Sequence, residues 1–278
     1  MARALRTEFP GAVYHITSRG NARGRLFLDE ADEKTFLRTL GRVVADCRWL
    51  CHAYCLMPNH FHLVLETPRP NLAVGMRRLN SSYAQAFNQR RDRIGHVFQG
   101  RYRAILIEKE AHLLEVCRYV VLNPVRAKLC ETAADWRASS YRATVGWEPA
   151  RPFLSSAWIL GQFGTTASRA RERYRAFVAE GSNEEAWRDL RGQMYLGSED
   201  FARSRSEPGE PIEEVPRAHW RPVRRPLAEL FNELGADALA VAFRDEGYHL
   251  REIAEHLGVH YSTVSRRLRA LDEGGRTG

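Results

Sequence analysis

Residues 51–66 read CHAYCLMPNHFHLVLE. Two histidines, His60 and His62, sit one residue apart in a run of strand-forming residues, and Pro58-Asn59 just before them is a turn signal. The stretch predicts two strands joined by a tight turn. In a strand, residues i and i+2 project to one face. His60, His62 and Val64 then share a face, while Phe61, Leu63 and Leu65 take the other and pack in a core. Two imidazoles about 7 Å apart along a strand can converge on one metal ion. They can equally be two hydrogen-bonded or partly exposed histidines, because H-x-H is a short pattern.

Upstream, AVYHITSRG alternates as a strand does and runs into the loop RGNARGR. DEADEKTFLRTLGRVVADCRW places Phe36, Leu37, Leu40, Val43 and Val44 at helical spacing behind an acidic first turn. Downstream, NLAVGMRRLNSSYAQAFNQRR is helical by period and RYRAILIE is a short strand. EAHLLEVCRYVVLN is a helix expected to end near Asn123, because Pro124 disfavours helical geometry in the residue before it. The order strand, helix, strand, strand, helix, strand, helix predicts an α+β protein, a ferredoxin-like antiparallel sheet with packed helices. His60-x-His62-x-x-x-Glu66 also has the spacing of cupin metal sites, but cupins are all-β and carry glycines where this chain has Tyr54 and Ala73. That reading is set aside on fold class.

This α+β domain is assigned to residues 1–150 and a helical extension to 151–200, with Tyr174, Phe177, Trp187 and Leu190 as packing residues. Residues 201–226, rich in Pro, Glu and Arg, read as a linker, and 227–278 as a small all-α unit.

The 278 residues are 44% hydrophobic and 27% charged, the composition of an ordinary soluble protein. No apolar run is long enough to span a bilayer and no signal peptide opens the chain, so a cytoplasmic protein is expected. Five cysteines without a C-x-x-C motif argue against a disulfide scaffold, and the even spacing of Cys47, Cys51 and Cys55 is read as small buried residues rather than a zinc site. The formal charge of +8 is uneven. Residues 1–164 carry 24 Lys and Arg against 14 Asp and Glu, whereas 165–278 carry 18 against 20. A basic first half is the footprint of a polyanion, most simply nucleic acid.

CRYVVLNPVRA contains Tyr119 and Asn123, four residues apart and so on one helix face. If that face meets the histidine strand, Asn123 can supply a third metal ligand and Tyr119 sets its hydroxyl beside the metal. A free phenol ionises near pH 10 and is a poor nucleophile at neutral pH. A divalent ion on a phosphodiester offsets the charge of the transition state, and tyrosine can then attack. Alone, the same pair is also a packing tyrosine and a helix-capping asparagine.

Taken together, MPNHFHLVL and RYVVLNPVRAKL, with YHITSRGN upstream and FQGRYRAILI between them, closely resemble the HUH single-tyrosine transposases (IS200-like), specifically the REP-associated tyrosine transposase branch. The resemblance covers residues 8–145 and continues more weakly through YRAFVAEG and MYLGSEDF. It implies a metal-dependent endonuclease and strand transferase for single-stranded or hairpin (REP-like) DNA. His60 and His62 match the metal-binding histidines, Tyr119 the nucleophile that takes the 5′-phosphate, and Asn123 the third ligand, where relatives outside this branch often carry Gln. The family uses Mg²⁺ or Mn²⁺, and imidazole ligands lean toward Mn²⁺. Relatives act as monomers or homodimers. The absence of a P-loop fits a reaction in which the covalent link keeps the phosphodiester energy.

For DNA contact the sequence offers Arg19, Arg23 and Arg25 in SRGNARGR, where Gly20 and Gly24 allow close approach of phosphates, and Arg101 and Arg103 in FQGRYR. Tyr83, Phe87, Phe98 and Tyr102 are interleaved aromatics, suited to base stacking or to the core. LREIAEHLGVHYSTVSRRLRAL reads as helix-turn-helix. Ile253, Leu257, Val264 and Leu268 form its inner face, Ala254 and Gly258 its crossing and turn, and Ser262 or Thr263 begins a second helix whose Arg266 and Arg267 can face DNA. A non-catalytic DNA-binding regulator using this unit is the rival reading.

Overall fold

The Pro58-Asn59 turn forms, and it organises everything around it. The computed structural model describes residues 7–181, 187, 189–191, 194–205, 225–246, 248 and 250–274. These fall into two compact units, one built on Glu8–Leu190 with Met194–Ser198 and one holding the helices from Glu199 onward. Residues 206–224, most of the expected linker, lie outside the described residues.

The first unit has β1 (Ala12–Arg19), α1 (Glu30–Cys47), β2 (Leu50–Met57), β3 (His60–Thr67), α2 (Leu72–Arg91), β4 (Arg103–Ile107) and α3 (Lys109–Arg126) in that order. It continues through the short α4 (Tyr141–Thr144) and α5 (Ala157–Gly161), α6 (Ala167–Ala179), and the two-residue strands β5 (Leu190–Arg191) and β6 (Tyr195–Leu196). The sheet is ordered β2-β3-β1-β4-β6-β5. β1 pairs antiparallel with both β3 and β4, and β2 with β3, which is the predicted ferredoxin-like core.

Period-2 alternation splits the side chains as the sequence requires. Phe61, Leu63 and Leu65 are fully buried on the face covered by α1 and α2, where Phe36 lies 4.7 Å from Phe61 and 5.2 Å from Tyr83 between ring centroids. The opposite face carries Val13, Ala53, Cys55, Val64, Ile105 and Ile107, and packs against Leu113, Val116, Cys117, Val120 and Val121 of α3. α1 starts at Asp29, whose carboxylate accepts from the Asp32 amide at 3.0 Å, one of the four donors a helix start leaves over.

Two expectations need correction. α3 does not stop at Asn123 but runs through Pro124 to Arg126. The proline removes one backbone donor, yet it is buried, and the Asn123 amide donates to the Tyr119 carbonyl at 2.9 Å within the same turn. Leu190–Arg191 and Tyr195–Leu196 are strands rather than helix: β6 adds in parallel to the open edge of β4, where the Leu106 and Glu108 amides donate to the Met194 and Leu196 carbonyls at 2.7 and 2.8 Å. Of the two roles open to Tyr83, Phe87, Phe98 and Tyr102, the core is the one they take: all four are buried, and none offers a face to a base.

The second unit contains α7 (Glu199–Arg205), α8 (Leu227–Leu234), α9 (Ala238–Ala240) leading into a π turn (Val241–Asp245), α10 (Leu250–His256) and α11 (Tyr261–Gly274). Ile253, Ala254, Val264 and Leu268 are buried with Leu230, Ala238, Leu239 and Ala242, and Leu257 packs against them. Gly258 adopts φ +64° in the turn, the left-handed conformation that favours glycine. The second helix begins one residue before Ser262, at Tyr261.

Candidate active site

His60 and His62 stand on the α3 face of β3, at the end next to the turn. The loop after β1 folds onto that turn: Pro58 accepts from the Leu26 and Phe27 amides at 2.8 and 3.2 Å, and the Gly20 amide donates to the Asn59 carbonyl at 2.8 Å. Gly20 is needed for this closure, because a Cβ there would overlap the Gly24 carbonyl. Both glycines have ordinary extended backbone; the left-handed residues of the loop are Ala22 and Arg23. The glycines thus serve the loop's own packing.

The two imidazoles are 4.9 Å apart between centroids. His60 Nδ1 lies 2.8 Å from Asn59 Oδ1; an amide oxygen only accepts, so Nδ1 holds the proton and Nε2 presents a lone pair. His62 Nδ1 lies 2.9 Å from Nε2 of His15, and the two rings meet edge to edge, nearly coplanar, with centroids 5.2 Å apart and planes 2° from parallel. His62 Nε2 is buried without a hydrogen-bond partner. Burial, joined by the Arg19 charge, pushes the His60 imidazole down to about 4. Burial and the neighbouring His15, His60 and Arg19 hold His62 well below the usual imidazole range, and burial with Arg103 pushes His15 to about 3. Three neutral imidazoles therefore stand side by side at neutral pH.

α3 brings Tyr119 over this group. Its ring centroid is 6.3 Å from His62 and 6.1 Å from His15, edge-on to both. Trp187 packs on the other side, 4.9 Å from Tyr119 and 5.2 Å from His15, and the Arg126 guanidinium lies 5.1 Å from the Tyr119 ring centroid. Asn123 follows one turn later, its amide nitrogen on the Tyr119 carbonyl.

The donor set fits a divalent ion. Among the described residues no group of three or more His, Cys, Asp and Glu could hold a metal, so a site here rests on His60 and His62 with an amide oxygen, for which Asn123 is placed on the right helix. The orphaned, buried Nε2 of His62 is what such an ion would satisfy. Glu66, which completed the cupin spacing, is engaged elsewhere: His52 Nε2 and Lys109 Nζ each lie 2.9 Å from its carboxylate.

The basic residues divide by position. Arg19 is the ladder partner of His60, and Arg103 shares with His62 the partner Thr17, so both flank the histidines on the sheet; both are exposed. Arg23 and Arg25 are exposed in the loop clamped to the turn, and Arg101 is exposed just before β4. In the second unit Ser262, Arg266 and Arg267 are exposed along α11 and Thr263 is half-buried. The sequence reading missed three residues here. Helical spacing marks Trp187 only as a packing residue, nothing local singles out Arg126, and His15 carries a signal in interrupting the apolar pattern of β1 at the spacing that puts it on the histidine face.

Residues 9–123 match the family described as Transposase IS200 like, and residues 238–278 match the homeodomain-like domain. A Haemophilus influenzae protein named as a REP-associated tyrosine transposase is 28% identical over 104 residues, covering 34% of this chain. The chain spans 59% of that relative's length. A solved REP-associated tyrosine transposase bound to a REP hairpin aligns over 55% of this chain and 90% of its own, with 18% identity and a TM-score of 0.47. A transposase structure from Deinococcus radiodurans aligns over 43% and 95%, with 16% identity and a TM-score of 0.32. The stretch that is similar to the IS200-like transposases, residues 9–123, is the one that carries His15, the histidine pair and the tyrosine helix.

Proposed function

We propose that this chain is a metal-dependent endonuclease and strand transferase for single-stranded, hairpin-forming DNA, acting through a 5′-phosphotyrosine on Tyr119. The observation that carries the reading is the meeting of Tyr119 with His62 and His15, with His60 beside them and Arg19 at the rim. A tyrosine edge-on to neutral imidazoles in a basic rim suits attack on a phosphodiester better than any hydrolytic triad.

In this mechanism Arg19 and Arg103 grip the phosphates on either side of the scissile bond as charge-assisted donors. Tyr119 Oη attacks phosphorus: the P–Oη bond forms as the phenol loses its proton, and the P–O3′ bond breaks as the departing oxygen gains one. A bound Mg²⁺ or Mn²⁺ on His60, His62 and Asn123 would polarise the phosphodiester and offset its developing charge. Arg126, over the Tyr119 ring, favours the phenolate as it forms. Joining is the reverse: a 3′-OH attacks the phosphotyrosine and returns the phenol. The helix-turn-helix unit supplies a separate contact to DNA, with Ser262, Thr263, Arg266 and Arg267 on α11 toward the backbone and bases.

The test uses a hairpin oligonucleotide from DNA flanking the gene, with different dyes at its two ends. It is incubated with Mn²⁺ or Mg²⁺ and the full chain, wild type beside Tyr119→Phe. The expected result is a nick seen in the 5′ dye and a protein adduct carrying the 3′ dye, both metal-dependent and both lost in the variant. Cleavage that survives the substitution moves the nucleophile elsewhere. Binding without cleavage across several flanking hairpins makes the chain a DNA-binding regulator.

A further inference from the structure

The histidine that pairs with His62 comes from another strand. His15 sits on β1 opposite Val64, so His62 is its diagonal neighbour on the same face. Their rings are nearly coplanar, and His15 Nε2 meets His62 Nδ1 edge to edge at 2.9 Å in a buried contact. Two neutral imidazoles at that distance share one proton between the facing nitrogens, and two arrangements are open. In one, His62 Nδ1–H donates to His15 and His62 Nε2 keeps a lone pair. In the other, His15 Nε2–H donates and His62 Nε2 carries a hydrogen, which no metal can share. Both outer nitrogens, His62 Nε2 and His15 Nδ1, are buried without partners, so no outer hydrogen bond selects between the two.

We propose that His15 is a positioning residue that accepts the His62 Nδ1–H and so turns the His62 Nε2 lone pair toward the metal. Asn59 does the same for His60, whose Nδ1–H it accepts at 2.8 Å. Each ligand imidazole then has its tautomer and ring angle set by a partner on its far side, a relationship that tunes metal sites generally. Trp187, 5.2 Å away between ring centroids, packs against His15 and leaves it little freedom to turn away. The inference rests on the metal-site reading above, and its test separates the two.

Mn²⁺ alone is titrated into the full chain, followed by calorimetry and by the loss of free Mn²⁺ signal in electron paramagnetic resonance. His15→Gln keeps an acceptor oxygen close to the position of Nε2; His15→Leu removes it while filling the space; His60→Ala deletes a ligand. The expected order is His15→Gln within a few-fold of wild type and His15→Leu about tenfold to a hundredfold weaker. Equal affinity in His15→Leu and wild type overturns the proposal, and so does equal weakening in the Gln and Leu variants, which would make the contact packing alone. The tautomer is read independently by long-range ¹H–¹⁵N correlation of the metal-free protein. His62 protonated on Nδ1 supports the assignment, and His62 protonated on Nε2 overturns it even if the protein binds no Mn²⁺. Wild type and His60→Ala that bind equally poorly would instead remove the metal site.

Discussion

The same substitution, Gly→Ala, is expected to be costly at one helical position of the first unit and harmless or favourable at another. In the interior of a helix, alanine is favoured over glycine by about 1 kcal/mol, so both changes start with that gain. At Gly75 on α2 the new methyl would overlap the Trp49 ring and stand 3.0 Å from the Cys47 sulfur. Trp49 cannot give way easily: it is buried, and its indole donates to Asn71 at 2.7 Å while Asn71 donates to the Cys47 carbonyl at 3.0 Å. Overpacking a fixed core costs roughly 1–3 kcal/mol, and a direct overlap belongs at the upper end, so Gly75→Ala should lose about 2 kcal/mol net. For a domain of this size that is roughly 4–8 °C in Tm. At Gly41 on α1 the methyl meets only the Phe153 ring edge, at 3.0 Å. Phe153 is half-buried beside an open groove of about 770 Å³ and can shift, so Gly41→Ala should be neutral or gain up to about 1 kcal/mol. Urea unfolding followed by tryptophan fluorescence suits the comparison, because five of the six tryptophans lie between residues 49 and 187. A Gly75→Ala protein as stable as Gly41→Ala would refute the packing argument.

Other consequences can be checked on the same protein. Glu66 is held below the usual carboxylate range by the His52 hydrogen bond and then by Lys109, against the opposing effect of burial. A depressed carboxyl stabilises above its unfolded value near 4.3 and loses that stability as pH falls through its folded one; Glu66→Gln should therefore cost stability at pH 7, with the gap to wild type closing below about pH 4 in acid unfolding. Burial pushes the Cys51 thiol up to about 12 and those of Cys55 and Cys117 well above the usual range, whereas Cys130 is only half-buried. Iodoacetamide at neutral pH should label Cys130 first, and early labelling of Cys51, Cys55 or Cys117 would contradict their burial. If α11 contacts DNA as proposed, Arg266→Ala should weaken duplex binding and lower the slope of log affinity against log salt by about one, and an unchanged slope would remove Arg266 from the phosphate contacts.

Which parts of this site were legible follows from the range of each signal. Alternation is local, so it could put His60 and His62 on one face and Phe61, Leu63 and Leu65 on the other, and it did. Helical spacing is local too, and it correctly set Tyr119 and Asn123 on one side of α3. It misjudged the end of α3 because the penalty for Pro124 is a local preference, and tertiary burial of that proline outweighs it. The β6 pairing had no periodic signature at all: two residues suffice to cover the edge of β4, and their partner is about ninety positions away. His15 is the instructive case. Its place on the histidine face follows from the same alternation that placed His60, but its contact with His62, 47 positions along the chain, depends on the register of β1 against β3. A sequence period assigns a residue to a face and leaves its neighbours on that face undetermined. The residues most exposed to that gap are the polar ones on a buried strand, because burial requires each to find a partner and the partner is almost always on another strand.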